Sequence, residues 1–163
     1  MKNILIVSAT LKNNYKLAKK IQDLLKNIES NSIKTNVISL ENYQLPIYTE
    51  DAFDEHIGKH KDTISKLTNK FVESDGIIIC APEYNGSTPP IVNNAIAWIS
   101  TTTDYWRDAF NKKIALIGTN SGGPGTKYIT IMKLQMEHLG CVVMPRAIRE
   151  NKLNIKIEGY LKY

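Results

Sequence analysis

Apolar residues in this chain follow two alternating rhythms. Five short runs are rich in β-branched residues: Lys2–Ser8, Lys34–Leu40, Gly76–Ala81, Lys113–Thr119 and Cys141–Met144. Between most of them, apolar residues recur every three or four positions. Tyr15–Ile28 sets Leu17, Ala18, Ile21, Leu24, Leu25 and Ile28 on one stripe, the spacing of an amphipathic helix. His60–Glu73 repeats it with Ile64, Leu67, Phe71 and Val72. Pro90–Ser100 and Thr126–Leu139 read as two more helices, with Gly140 as the stop of the second. Strand and helix thus alternate along the chain. Near-continuous apolar strands imply a parallel sheet covered on both faces, a three-layer, doubly wound α/β architecture of five strands. Right-handed crossovers leave few topologies for it.

Two longer stretches lack either period, Glu41–Phe53 and Thr102–Lys112. Both carry aromatics: Tyr43, Tyr48 and Phe53 in one, and Tyr105, Trp106 and Phe110 in the other. Aromatic loops of this kind are expected to cover a ligand or a partner subunit. The C-terminal segment Arg146–Tyr163 reads poorly as a helix. Leu153, Ile155 and Ile157 alternate with Asn154 and Lys156, a period of two, and Gly159 interrupts it.

Composition narrows the class without naming a function. At 163 residues the chain fits one domain, 1–163, with 42% apolar and 23% charged residues. No apolar run approaches the roughly 20 residues that span a bilayer. Met1-Lys2-Asn3 leads straight into Ile4-Leu5-Ile6-Val7, too short a run for a signal peptide, so the chain reads as cytoplasmic. The net charge of +5 is spread along the sequence, with no arginine-rich stripe. This favours a solvated surface over nucleic-acid binding, while still attracting phosphorylated cofactors. Cys80 and Cys141 belong to no CxxC or Cys/His cluster, so no metal is expected. Buried, reduced thiols are the reading for both, with a redox role for Cys80 as the alternative.

Chemistry concentrates in three turns, which follow the first, third and fourth strands and therefore share the carboxyl edge of the sheet. In open α/β sheets ligands bind at that edge. The first turn runs Ser8-Ala9-Thr10-Leu11-Lys12-Asn13-Asn14 into a helix. Hydroxyls, free N–H groups, the helix dipole and Lys12 make it a usable phosphate seat, and plain N-capping by Asn13 or Asn14 is the alternative. The second, Ala81-Pro82-Glu83-Tyr84-Asn85-Gly86-Ser87, offers backbone N–H groups and a flat aromatic wall suited to a planar heterocycle. The third, Thr119-Asn120-Ser121-Gly122-Gly123-Pro124-Gly125, allows close backbone approach at its glycines.

The run Pro82-Glu83-Tyr84-Asn85-Gly86-Ser87, followed by Asn94-Ala95-Ile96 and Trp98, resembles the signature of the NAD(P)H-dependent FMN reductases. Azoreductases and quinone or chromate reductases belong to that family. Ser121–Gly125, Gly140 and Pro145 look like its fourth loop and last strand, and the resemblance covers roughly residues 1–148. The first loop departs from it, with Ser8-Ala9 where the family reads Gly-Ser and Leu11 near its usual Arg. The resemblance implies a flavodoxin-like fold of strand order 2-1-3-4-5 with an atypical or shortened C-terminal end. It implies FMN as cofactor, and NADPH or NADH as co-substrate.

On that reading the flavin carries the chemistry and no catalytic side chain is required. Ser8, Thr10, Lys12, Asn13 and Asn14 would hold the phosphate. Pro82 and Glu83 to Ser87 would contact the ring edge, with Tyr84 and Asn85 lining it. Ser121, Gly122 and Gly123 would close the pyrimidine side. Trp98 packs in the core, and His56, His60 and His138 lie away from the three turns. The acceptor would be a small molecule of flavin, quinone or azo type, and the assembly a homodimer or homotetramer with no nucleic-acid or membrane partner. A flavodoxin-fold electron carrier and a non-catalytic flavin- or nucleotide-binding module are the alternatives.

Overall fold

The β-branched runs form one parallel sheet in the computed structural model, which describes residues 1–28 and 32–150. The strands are β1 (Lys2–Ser8), β2 (Ile33–Ser39), β3 (Gly76–Cys80), β4 (Ile114–Thr119), β5 (Val142–Val143) and β6 (Ile148–Arg149). The helices are α1 (Asn13–Ile28), α2 (Glu50–Val72), α3 (Pro90–Thr101) and α4 (Thr126–His138). The order is β2-β1-β3-β4-β5, as expected, and every pair is parallel. Ile6 at the centre of β1 faces Val37 on one side and Ile78 on the other.

Strand alternation sorts the core into two layers. Leu5, Val7, Ile77, Ile79, Ala115 and Ile117 point to one face, beneath Leu67 and Phe71 of α2, Val92, Ala95 and Ile99 of α3, and Ile129, Met132 and Met136 of α4. Ile6, Ile78, Cys80 and Leu116 point to the other, beneath Leu17, Ala18 and Ile21 of α1. Ile114 (56% exposed) and Val142 (63%) are paired neighbours on this α1 side of the sheet. Of the C-terminal segment Arg146–Tyr163 read above with a period of two, residues 151–163 lie outside the described residues.

Three expectations change. The fifth strand, read as Cys141–Met144, is split: β5 pairs the start of β4 (Ile114↔Val142) and β6 pairs its end (Gly118↔Ile148). Pro145 lies between the two pieces and has no N–H for the ladder. Helix α2 begins at Glu50, ten residues before the His60 start, and a 3-10 turn occupies Leu40–Tyr43, so the irregular stretch shrinks to residues 44–49. Glu50 and Asp51 at its start favour a helix N-terminus, and helix propagates from there one bond per residue. Thr102–Lys112 joins the end of α3 to the start of β4 and contacts Gly140 beyond α4. It therefore lies at the edge opposite the three turns, where Trp106 stacks near His138.

Lys113 fastens that far edge. It is buried, and its Nζ donates to the Phe71 carbonyl and, at 2.8 Å, to the Val72 carbonyl, closing the C-terminus of α2. Burial pushes its pKa down. Lys113→Met keeps the apolar stem and strips two carbonyls of their donor. The expected loss is about 1–3 kcal/mol, read as a lower urea midpoint; an unchanged midpoint would refute the role.

Candidate functional site

The Asn-Gly step at the tip of the second turn has a conformational reason. Asn85 and Gly86 both take positive φ, 49° and 71°. Tyr84 N–H donates to Ser87 O (3.1 Å) and Ser87 N–H to Tyr84 O (2.9 Å). These are the marks of a two-residue type I′ turn, for which Asn-Gly is the preferred pair. The turn projects Tyr84, half-exposed, and Asn85, exposed, beyond the sheet.

The turn is fixed to the third loop by side chains. Glu83 N–H donates to Ser121 Oγ at 2.7 Å. Thr119 Oγ1 donates to Ala81 O at 2.7 Å, so Ser121 supplies the proton of the 2.9 Å Thr119–Ser121 contact. Glu83 Oε2 accepts from Lys127 N–H (3.0 Å) and Tyr128 N–H (3.2 Å). Gly125, the residue before α4, has no side chain to cap the helix, and Glu83 of the second turn does it instead.

The first loop is fixed to the third by one side chain. Asn14 Nδ2 donates to Asn120 O (2.9 Å), and its Oδ1 accepts from Asn120 N–H (2.8 Å). Asn120 Nδ2 reaches Glu150 (3.3 Å), which also pairs with Lys20 of α1. Ser8 is buried and donates to Thr10 O at 2.6 Å, folding the loop on itself. Leu11 N–H donates to Glu41 Oε2 at 2.6 Å, tying the loop to the 3-10 turn. Thr10 is partly exposed, while Lys12 and Asn13 stand in solvent.

The sequence-selected residues thus divide in two. Ser8, Asn14, Glu83 and Ser121 spend their side chains on holding loops together. Thr10, Lys12, Asn13, Tyr84, Asn85, Gly122 and Gly123 border open space, with Pro82, Gly86 and Ser87 partly exposed between them. A Cβ at Gly122 or Gly123 would meet nothing within 4 Å, and neither residue has a positive φ. Packing within the described residues therefore requires no glycine there, and an outside group brought close to the backbone would. The amides of Thr10, Lys12, Gly122 and Gly123 make no hydrogen bond among the described residues. Such amides, beside the Lys12 charge and the start of α1, are what a phosphate and a polar ring edge need.

Sequence reasoning missed Glu41, Thr119, Asn120 and Lys127, whose partners are remote in sequence. It placed Trp98 in the core, where its Nε1 donates to Pro46 O at 2.7 Å. Asn94, one turn earlier, accepts from Tyr48 N–H (2.8 Å) and donates to Pro46 O (2.9 Å). These two residues of the signature hold the segment at 44–49. A cleft of about 640 Å³ lies between that segment (Leu45, Ile47, Tyr48) and the start of α3 (Pro90, Ile91, Asn94). Both cysteines are free and buried; burial pushes Cys141 up to about 11 and Cys80 well up from the usual thiol value, so neither offers a thiolate. No group of three His, Cys, Asp or Glu among the described residues could hold a metal ion.

Residues 2–151 match the family model described as NADPH-dependent FMN reductase. An uncharacterized protein of Mycoplasma pneumoniae is 29% identical over 115 residues, 69% of this chain and 63% of that one. A quinone reductase of Escherichia coli strain K12 is 34% identical over 79 residues, 48% of this chain and 39% of that one. The matched stretches thus span less than two thirds of these relatives' own length. In structure the chain is similar to a flavoenzyme NAD(P)H:(acceptor) oxidoreductase from Paracoccus denitrificans, with a TM-score of 0.69, 23% identity, and coverage of 90% of this chain and 78% of that one.

The capping role of Glu83 is open to test in the flavin-free protein. Glu83→Ala removes both N–H contacts and is expected to lower stability by about 1–2 kcal/mol. Glu83→Gln keeps an acceptor and forfeits the charge at the helix end, about 0.3–1 kcal/mol. Urea unfolding of the two variants gives the ranking. Equal losses, or none, would remove Glu83 from the cap.

Proposed function

Because the chain belongs to the NADPH-dependent FMN reductase family, we propose that it binds FMN along the carboxyl edge of the sheet and passes reducing equivalents from a nicotinamide cofactor to a small-molecule acceptor. A quinone or an azo compound is the acceptor class. One observation carries the reading: three loops held together by side-chain hydrogen bonds, with amides at the first and third that bond nothing among the described residues and an Asn-Gly turn between them.

When bound, FMN supplies the hydride-accepting ring. The chain's part is to hold and orient it. Thr10, Lys12 and Asn13 hold the phosphate through amides, hydroxyl and charge, on a loop that Ser8 and Asn14 fix in shape. Pro82, Glu83, Tyr84, Asn85, Gly86 and Ser87 present backbone and aromatic surface to the ring edge. Ser121, Gly122 and Gly123 close the pyrimidine side with N–H groups, where donors stabilise negative charge. Free, buried Cys80 and Cys141 suit a reducing cytoplasm. No helix among the described residues is long and apolar enough to cross a membrane.

The reading extends to a homodimer or homotetramer. Ile47 is 80% exposed at the rim of the cleft against α3, beside the second turn. An apolar knob next to an apolar cleft is self-complementary, and two copies related by a two-fold axis can exchange the contact. Light scattering of Ile47→Asp is expected to give half the wild-type mass, with far-UV circular dichroism unchanged. A wild-type monomer would remove the assembly from the account.

The released cofactor tests the central reading. Chromatography after denaturation is expected to give FMN, because the edge has a single-phosphate seat and no GxGxxG turn to cradle a pyrophosphate. Steady-state oxidation of NADPH with a quinone should give the parallel double-reciprocal lines of a ping-pong scheme. FAD as the main species, or a protein that takes up no flavin, would overturn it.

A further inference from the structure

Lys127 belongs to no motif, yet it reaches the site. It stands in the first turn of α4, where its own N–H donates to Glu83 Oε2 at 3.0 Å. From there its side chain crosses the tip of the Tyr84–Ser87 turn. A Cβ built on Gly86 would stand 3.1 Å from Lys127 Cδ and 3.4 Å from its Nζ. The ammonium is therefore carried on the glycine of the ring-edge turn.

No carboxylate among the described residues forms an ion pair with it. The lysine ion pairs of the described residues join Lys2 to Asp75 and Lys20 to Glu150, and Lys127 has none. The carboxylates of this edge are committed elsewhere: Glu41 to the Leu11 amide, Glu83 to the first N–H groups of α4, and Glu150 to Lys20 and Asn120. Among the described residues the edge thus carries two lysines without an ion pair, Lys12 on the first loop and Lys127 at the junction of the second and third.

Those two cations face different chemistry. A phosphate has the same charge whether the ring it belongs to is oxidised or reduced. A cation beside it strengthens binding of both forms alike. A ring that takes up two electrons and one proton gains a negative charge, which spreads over its pyrimidine side. A cation there favours the reduced form alone, which is differential rather than uniform binding.

Resting on the reading that FMN lies at this edge, we propose that Lys127 sets the reduction potential of the bound flavin, stabilising the reduced, negatively charged ring over the oxidised, neutral one.

The test compares FMN-loaded wild type, Lys127→Met, Lys127→Arg and Lys12→Ala. The readouts are the two-electron midpoint potential, by equilibration with a reference dye, and the dissociation constant of sulfite, whose adduct leaves negative charge on the ring. A partly screened unit charge a few ångströms away is worth about a tenfold change in equilibrium constant. Lys127→Met is expected to lower the midpoint by about 30 mV, the two-electron equivalent of tenfold, and to weaken sulfite binding by about the same factor. Lys127→Arg should retain most of both values. Lys12→Ala should weaken FMN binding and leave the midpoint unchanged. A midpoint unmoved in flavin-loaded Lys127→Met overturns the proposal. So does an equal shift in Lys12→Ala, which would make the effect one of net charge. A changed preference between NADPH and NADH at an unchanged midpoint would assign Lys127 to the nicotinamide phosphate and overturn it too. A wild-type protein that holds no flavin overturns both this proposal and the functional reading beneath it.

Discussion

The amide of Asn14 carries two hydrogen bonds on which the carboxyl edge of the sheet depends. It donates to and accepts from the backbone of Asn120, and so fastens the first loop to the third. Glu83 and Ser121 fasten the second loop to the third in the same manner, side chain to backbone. Each such bond is worth about 0.5–1.5 kcal/mol net, comparable to the backbone entropy of ordering one loop residue, about 1–2 kcal/mol. The loops are therefore ordered by the chain itself. A ligand arriving at a preordered edge loses less of its binding energy to shaping the site.

This arrangement also decides which groups remain available. Every side chain used as a latch is removed from the set that can touch a ligand, and what is left is mostly backbone: the amides of Thr10, Lys12, Gly122 and Gly123. Backbone amides are fixed dipoles once the loops are fixed, and they cost no side-chain entropy when a ligand binds. The carboxylates follow the same logic. Glu83 serves the start of α4, Glu41 the first loop and Glu150 Lys20, so each of these carboxylates has a structural partner within the chain. Among the described residues, Lys12 and Lys127 stand at this edge without an ion pair.

The order of the sheet and its helices was legible wherever an apolar period was strong, as in α1 and in β3. It failed where packing or pairing is long-range. Helix α2 starts at Glu50, ten residues before the stretch whose period is read from His60. β6 is two residues long, lies beyond Pro145, and exists only because β4 has a free partner at Gly118 and Thr119. At the candidate site the Asn85-Gly86 step was legible, since a local turn type demands those residues. The latches were not. Asn14 and Asn120 are 106 positions apart and Glu83 and Lys127 are 44 apart, and nothing in either neighbourhood marks the other. Asn14 read as a phosphate ligand or an N-cap, and the fold uses its side chain to hold Asn120.

The central claim is that this edge is built before any ligand arrives. Amide hydrogen exchange on the flavin-free protein tests it most directly, at Glu83, Asn120, Lys127 and Tyr128, whose N–H groups serve the latches. The account predicts that these amides are protected without flavin and to a degree approaching those of β3 and β4, and that protection at Asn120 is lost in Asn14→Ala. Exchange at the rate of an open loop, with protection gained only on adding FMN, would contradict it.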